Sequence, residues 1–178
     1  MNAEEVLTQL RTVGTEQMRR TSRRHGVQGD VYGVSYVEFG KLKKKLKVAG
    51  PLAEELWASG NHDARVLATM IGDPAAISEQ TVDSWSRDLD SYPITDAFGG
   101  FVARTPFAMK KMKQWMKADH ERLESVAWRL LSELARDSTL PDSFFDEHLK
   151  TIERQIHTAK NRVRHSMNGA VIAIGGTI

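Results

Sequence analysis

Apolar residues recur at helical spacing along nearly the whole of this chain, and turn-forming residues cut the pattern into short lengths. Leu123, Val126, Ala127, Leu130, Leu131 and Leu134 form the strongest run; steps of three and four place them on one helix face. Val6, Leu7 and Leu10 begin an amphipathic helix that this pattern carries into an arginine-rich segment, and GVQGDVYG from Gly26 to Gly33 reads as a loop. Tyr36, Phe39, Leu42 and Leu46 step as a stripe to Gly50-Pro51. Asn61 and Ser78 are suited to cap the helices that follow them. Thr105-Pro106 predicts a start in which the cap is followed by proline, with Met109, Met112 and Met116 facing inward. Pro141 opens a further helix.

No stretch alternates as a strand would. Eight or nine short helices joined by tight turns are expected, an all-α architecture of antiparallel pairs in the manner of a HEAT-like α-solenoid with a concave basic face. The 178 residues, 40% hydrophobic and 27% charged, suit one helical domain spanning 1–178. The apolar ending AVIAIGGTI gives the expectation that the chain is truncated there, since a solenoid end needs a polar cap.

With no cysteine, disulfides and thiolate metal sites are excluded, and a reducing cytoplasm is the natural compartment. No apolar run reaches the length of a membrane span, and MNAEEVLTQL lacks the core of a signal peptide. The net charge is only +2, but its distribution is uneven. Arg19, Arg20, Arg23 and Arg24 form one basic cluster. Lys41, Lys43, Lys44, Lys45 and Lys47 form a second, Lys110, Lys111, Lys113 and Lys117 a third, and Lys160, Arg162 and Arg164 a fourth. Acidic residues gather between Asp73 and Asp96. Such clusters suit a polyanion, although lysine clusters are also common as solvated helix faces.

Metal and nucleotide chemistry find no support. The six histidines form no HExxH pair and read as surface residues, and no Walker, GxGxxG or GxSxG motif occurs. Neither a metal nor a cofactor is expected. The tryptophans at 57, 85, 115 and 128 fall on or near apolar stripes and read as core. What remains is the helix expected from Ser91. Ile94, Phe98, Phe101 and Val102 would be its buried stripe, and Tyr92, Asp96, Gly99, Gly100 and Ala103 its outward face. A carboxylate and an aromatic one turn apart, beside glycines that each cost a helix about 1 kcal/mol, suit the close approach of a ligand backbone. The same residues are also consistent with a solvated charge and helix packing.

YGVSYVEFGKLKKKLK, ELWASGNHDARVLATMIGDP and DSWSRDLDSYPITDAF, in that order, resemble the DNA alkylation-repair (alkylpurine DNA glycosylase) family of HEAT-like proteins, over roughly residues 30–170 by repeat pattern. The resemblance implies an α-solenoid holding duplex DNA on a basic face and hydrolysing the glycosidic bond of cationic N3- or N7-alkylated purines without a metal. By position it implies that Asp96 is the catalytic aspartate and that Tyr92 packs on the damaged nucleotide. A carboxylate stabilises an oxocarbenium-like sugar, and a tyrosine face attracts a cationic base.

Two positions depart from the family pattern. Its catalytic arginine falls at Ser125, with Arg122 and Arg129 a turn to either side on the same polar face, and a later aromatic falls at Gly169. Lys110, Lys113, Lys117, Lys160, Arg162 and Arg164 are the expected contacts to the DNA backbone. The expectation is therefore a monomeric glycosylase acting on alkylated purines in duplex DNA, with no membrane association. The alternative is a non-catalytic HEAT-like module that binds nucleic acid or a protein.

Overall fold

The structure, a computed structural model, describes residues 1–136 and 140–176. Among them every regular element is a helix: α1 (Ala3–Val13), α2 (Glu16–Arg24), α3 (Tyr36–Leu46), α4 (Gly50–Ala58), α5 (His62–Ile71), α6 (Glu79–Ser86), α7 (Tyr92–Val102), α8 (Ala108–Trp115), α9 (Glu121–Leu134), α10 (Asp142–Gln155) and α11 (Asn161–Gly175). These eleven exceed the eight or nine expected. The chain forms two compact units, Met1–Thr105 and Pro106–Ile178.

Part of the difference arises at the amino terminus, where the expected single helix is two. At Gly14 the backbone turns extended (φ −66°, ψ 144°), because the segment after α2 passes so close that a Cβ there would collide with the Tyr32 carbonyl. Thr15 then caps α2 by accepting from Met18 N, and its own N–H donates to Gly33 O at 2.9 Å. The second boundary to differ is that of α8, which begins at Ala108 after Phe107. The Thr105 hydroxyl turns back to donate to Val102 O at 2.8 Å, and so closes α7 instead of opening α8.

In the first unit α5 is the hub, packed by α1, α3, α4 and α7. Asn61 caps it by accepting from Ala64 N, as expected. Ser35 and Ser78 cap α3 and α6 in the same way. The core is aromatic: the Trp57 and Trp85 rings stack at 4.3 Å and 4°, flanked by Phe98 at 6.1 Å and Phe101 at 5.5 Å. In the second unit α9 packs against α8 and α11, and α10 against α11. All four tryptophans are buried, as their positions on the stripes implied. Met112 is buried, whereas Met109 and Met116 are half-exposed.

The loop expected at Gly26–Gly33 belongs to an extended strap that covers the start of α5. Val27, Val31 and Val34 are buried in it. Asp63, in the first turn of α5 and buried, collects three backbone donors from it: Tyr32 N and Gly33 N at 2.6 and 3.1 Å on one oxygen, and Val34 N at 2.9 Å on the other. Gly33 sits at φ +79°, and a Cβ there would collide with Thr15 O. Arg19 and Arg23 reach across from α2 to the strap carbonyls of Tyr32, Val27 and Gly29. These bonds hold α2, which buries no residue of its own.

Removing the Asp63 carboxylate would orphan three N–H groups at once, each costing about 1–3 kcal/mol. Asp63→Ala is therefore expected to destabilise the chain by at least about 3 kcal/mol in urea titration, and Asp63→Asn to recover only part of that, because its amide cannot accept on both sides.

Candidate nucleic-acid interface

Pro93 stands in the first turn of α7, where its missing N–H is no loss, and Ser91 precedes it as the cap position. The expected apolar stripe of Ile94, Phe98, Phe101 and Val102 is buried. Opposite it, Tyr92 is 37% exposed and Asp96 is exposed, so the two do share an outward face one turn apart. Among the described residues the Asp96 side chain has no hydrogen bond or ion pair. Gly99 does not belong to that face. It is buried, one turn after Thr95, which is also buried and donates its hydroxyl to Ser91 O. The inward side of α7 is therefore wider than its large residues suggest. Of the residues expected on the outward face beyond Asp96, Gly100 and Ala103 remain partly open.

The acidic run that the sequence presents between Asp73 and Asp96 divides by role. Asp73 accepts from Ala75 N and Ala76 N in the turn after α5. Asp88 accepts the Trp57 indole N–H at 2.8 Å and lies 3.4 Å from Arg65, whose guanidinium covers the Trp57 ring. Asp90 is exposed in the link before α7, near the strap at Gly29 and close enough to His62 for its charge to act there. His62, expected at the surface with the other histidines, is buried, and Asp90 counted in the sequence only as part of the acidic run. Their proximity depends on the strap and α5 meeting the link, and no spacing encodes that.

In the second unit Lys110, Lys113 and Lys117 are exposed on and just beyond α8, at steps of three and four that align them. Lys111 leaves the cluster to which the sequence assigned it. It is 1% exposed, donating to Gln114 at 3.2 Å and lying 5.9 Å from the Trp115 ring centroid.

On α9, Ser125 is 7% exposed and donates to Arg122 O. The position aligned with the family arginine thus faces inward and holds a side chain satisfied within its own helix. Arg122 and Arg129 beside it are half-exposed. Of the fourth cluster, Arg164 caps the end of α10 by donating to the carbonyls of Ile156, His157 and Ala159. Lys160 is exposed, 3.9 Å from Asp119, and Arg162 is half-exposed. Gly169 is exposed, with open space where a side chain would stand. Among the described residues no three His, Asp or Glu side chains gather as metal ligands, and no helix is long and apolar enough to cross a membrane.

Residues 6–177 match the family model described as DNA alkylation repair enzyme. The chain belongs to that family. It is similar to uncharacterized proteins of Listeria monocytogenes, at 26% identity, and of Listeria innocua, at 25%, in each case over 94% of this chain and 76% of the relative. A solved structure superimposes with a TM-score of 0.91 at 26% identity, covering 98% of this chain and 76% of that one. It is described as representing a new family of proteins related to the HEAT-like repeat DNA glycosylases with affinity for branched DNA structures. The fold is therefore HEAT-like and all-helical, as the periodicity implied.

Burial moves three groups in this family member away from their ordinary values. Burial lowers His62; the charges of Asp63 and Asp90 oppose that, and those of Arg65 and Arg23 add to it. Burial also lowers His148, whose ring meets Phe144 at 4.9 Å. Glu124 on α9 is raised, first by burial and against the opposing pull of the Trp128 indole and Lys160. A histidine lowered in the fold takes up its proton more readily when unfolded, so stability is lost as pH falls through about 6.5 toward the folded value. The urea midpoint is expected to drop between pH 7.5 and pH 5.5. His62→Gln and His148→Gln together should shrink that drop.

Proposed function

We propose that this chain is a DNA-binding member of the alkylation-repair family that takes branched DNA in preference to linear duplex. The observation that carries this is the structural neighbour at TM-score 0.91, from a family described as having affinity for branched DNA. The exposed lysines of α3 and α8 give the charge such binding needs, since backbone contacts supply most of the affinity for nucleic acid.

What surrounds Asp96 favours binding over chemistry. An electrostatic catalyst works best preorganised and shielded from water, whereas Asp96 stands in solvent with no hydrogen bond among the described residues. The position of the family arginine holds a buried serine.

Hydrolysis of the glycosidic bond of cationic N3- or N7-alkylated purines is the second reading. It draws its support from Tyr92 and Asp96, which share an outward face. Asp90, exposed near the strap at Gly29 and close enough to His62 for its charge to act there, is a second carboxylate of this segment and belongs in the same assay.

Titration of a labelled four-way junction and of a linear duplex of equal length is expected to give tighter binding to the junction at every salt concentration. Affinity should fall with salt at a slope near 0.9 per phosphate contact. Changing Lys110, Lys113 and Lys117 together to Gln should flatten the slope by about two to three. Equal affinity for both DNAs contradicts the preference for branches.

Release of 7-methylguanine from alkylated duplex, lowered about 10²-fold or more in Asp96→Asn, would establish the glycosylase reading instead. If only Asp90→Asn lowers it, the catalytic carboxylate is Asp90. Ser125→Arg is expected to destabilise the fold and not to raise excision, because it places a long cation in a buried position.

A further inference from the structure

Helix α3 contradicts the sequence at its first residue. Tyr36, expected on the apolar stripe with Phe39, Leu42 and Leu46, is 70% exposed. It touches Phe39 only edge-on, with ring centroids 5.9 Å apart. Val37 beside it is equally exposed. Behind Tyr36 at helical steps of four, seven, eight and eleven come Gly40, Lys43, Lys44 and Lys47. At 1.5 Å per residue this face is about 16 Å long. All five lysines of the segment are exposed. Among the described residues only Lys41 has an acidic partner, Glu38 at 2.6 Å.

Two features of this face run against the stability of the fold. Gly40 lies inside the helix, yet a Cβ there would meet nothing within 4 Å. The packing does not require glycine, and alanine would favour the helix. Lys47 ends the helix at φ 57°, ψ −148°, a backbone region that glycine enters freely and a lysine enters only with strain. Glycine thus occupies a position where the fold would accept a side chain, and lysine occupies one where the backbone favours glycine. Both are accounted for if the outer surface of α3 faces a bulky anion.

On the DNA-binding reading above, we propose that the outer face of α3 is the part of the protein that recognises unpaired DNA at a branch. Tyr36 stacks on an unpaired base, Gly40 leaves room for the nucleotide that follows, and Lys43, Lys44 and Lys47 hold successive phosphates. An exposed aromatic beside a basic row is the arrangement that binds single strands, since every base offers a face for stacking. A lysine row alone would hold duplex and branched DNA alike.

The test compares the full chain with Tyr36→Ala, Tyr36→Phe, Gly40→Ala and Lys47→Gly. Each is titrated with a labelled fork carrying unpaired arms and with a fully paired duplex of the same length. Tyr36→Ala is expected to weaken fork binding by roughly 5- to 100-fold with little change for duplex, and Tyr36→Phe to restore it. Gly40→Ala and Lys47→Gly are expected to raise Tm while weakening fork binding, a combination that a purely structural role would not give.

The proposal fails if Tyr36→Ala weakens fork and duplex equally or neither. It also fails if Gly40→Ala and Lys47→Gly raise Tm with fork affinity unchanged. Co-sedimentation of the full chain with anionic phosphatidylserine vesicles that is lost in Tyr36→Ala, with no preference for forks over duplex, assigns the face to a membrane and overturns it. Absence of binding by the unaltered chain to any DNA removes the DNA-binding reading itself. Fork binding that is indifferent to these variants removes only the role of α3.

Discussion

The carboxylate of Asp63 holds the first unit together. It is buried, and it accepts three consecutive backbone N–H groups from a strap that precedes it by about thirty residues in the chain. A non-helical segment crossing a helical core must find partners for its donors and acceptors, and here one side chain in the first turn of α5 supplies three of them. The helix dipole favours a negative charge at that end. Other features follow from the strap's position. Gly14 and Gly33 are glycines because backbone passes within contact distance of each. The helix α2 stays in place through arginines bonded to strap carbonyls, and Asp90 comes near His62.

Most of the fold was legible in the sequence because helices reveal themselves locally. The stripe of α7, the caps at Asn61 and Ser78, and the burial of all four tryptophans follow from spacing and residue type. What could not be read were consequences of distant segments meeting. The break at Gly14 is imposed by Tyr32, and Thr105 closes a helix where its neighbour Pro106 suggested an opening. His62 is buried because the strap covers it, though a lone histidine ordinarily lies at the surface.

The candidate site was legible in part, for a related reason. Periodicity assigns residues to faces but cannot say which faces are covered. Tyr92 and Asp96 do point outward together, yet Gly99 turns inward only three residues from Asp96 and seven from Tyr92. Lys111 and Arg164 look like members of basic clusters, but one is buried beside Trp115 and the other is spent on the carbonyls at the end of α10. Tyr36 shows the opposite error, an aromatic at stripe spacing left in solvent. Charge counted along a sequence therefore overstates what a polyanion can meet. The exposed lysines that stand in rows are Lys43, Lys44 and Lys47 at α3 and Lys110, Lys113 and Lys117 on and just beyond α8.

That distinction can be measured without choosing any residue in advance. Lysines of the full chain, free and saturated with a DNA fork carrying unpaired arms, can be labelled with an amine-reactive reagent and quantified by mass spectrometry. The account predicts protection concentrated at Lys43, Lys44 and Lys47 and at Lys110, Lys113 and Lys117, with Lys150 labelled equally in both states. Uniform labelling with and without the fork, or protection confined to lysines outside α3 and α8, would contradict it.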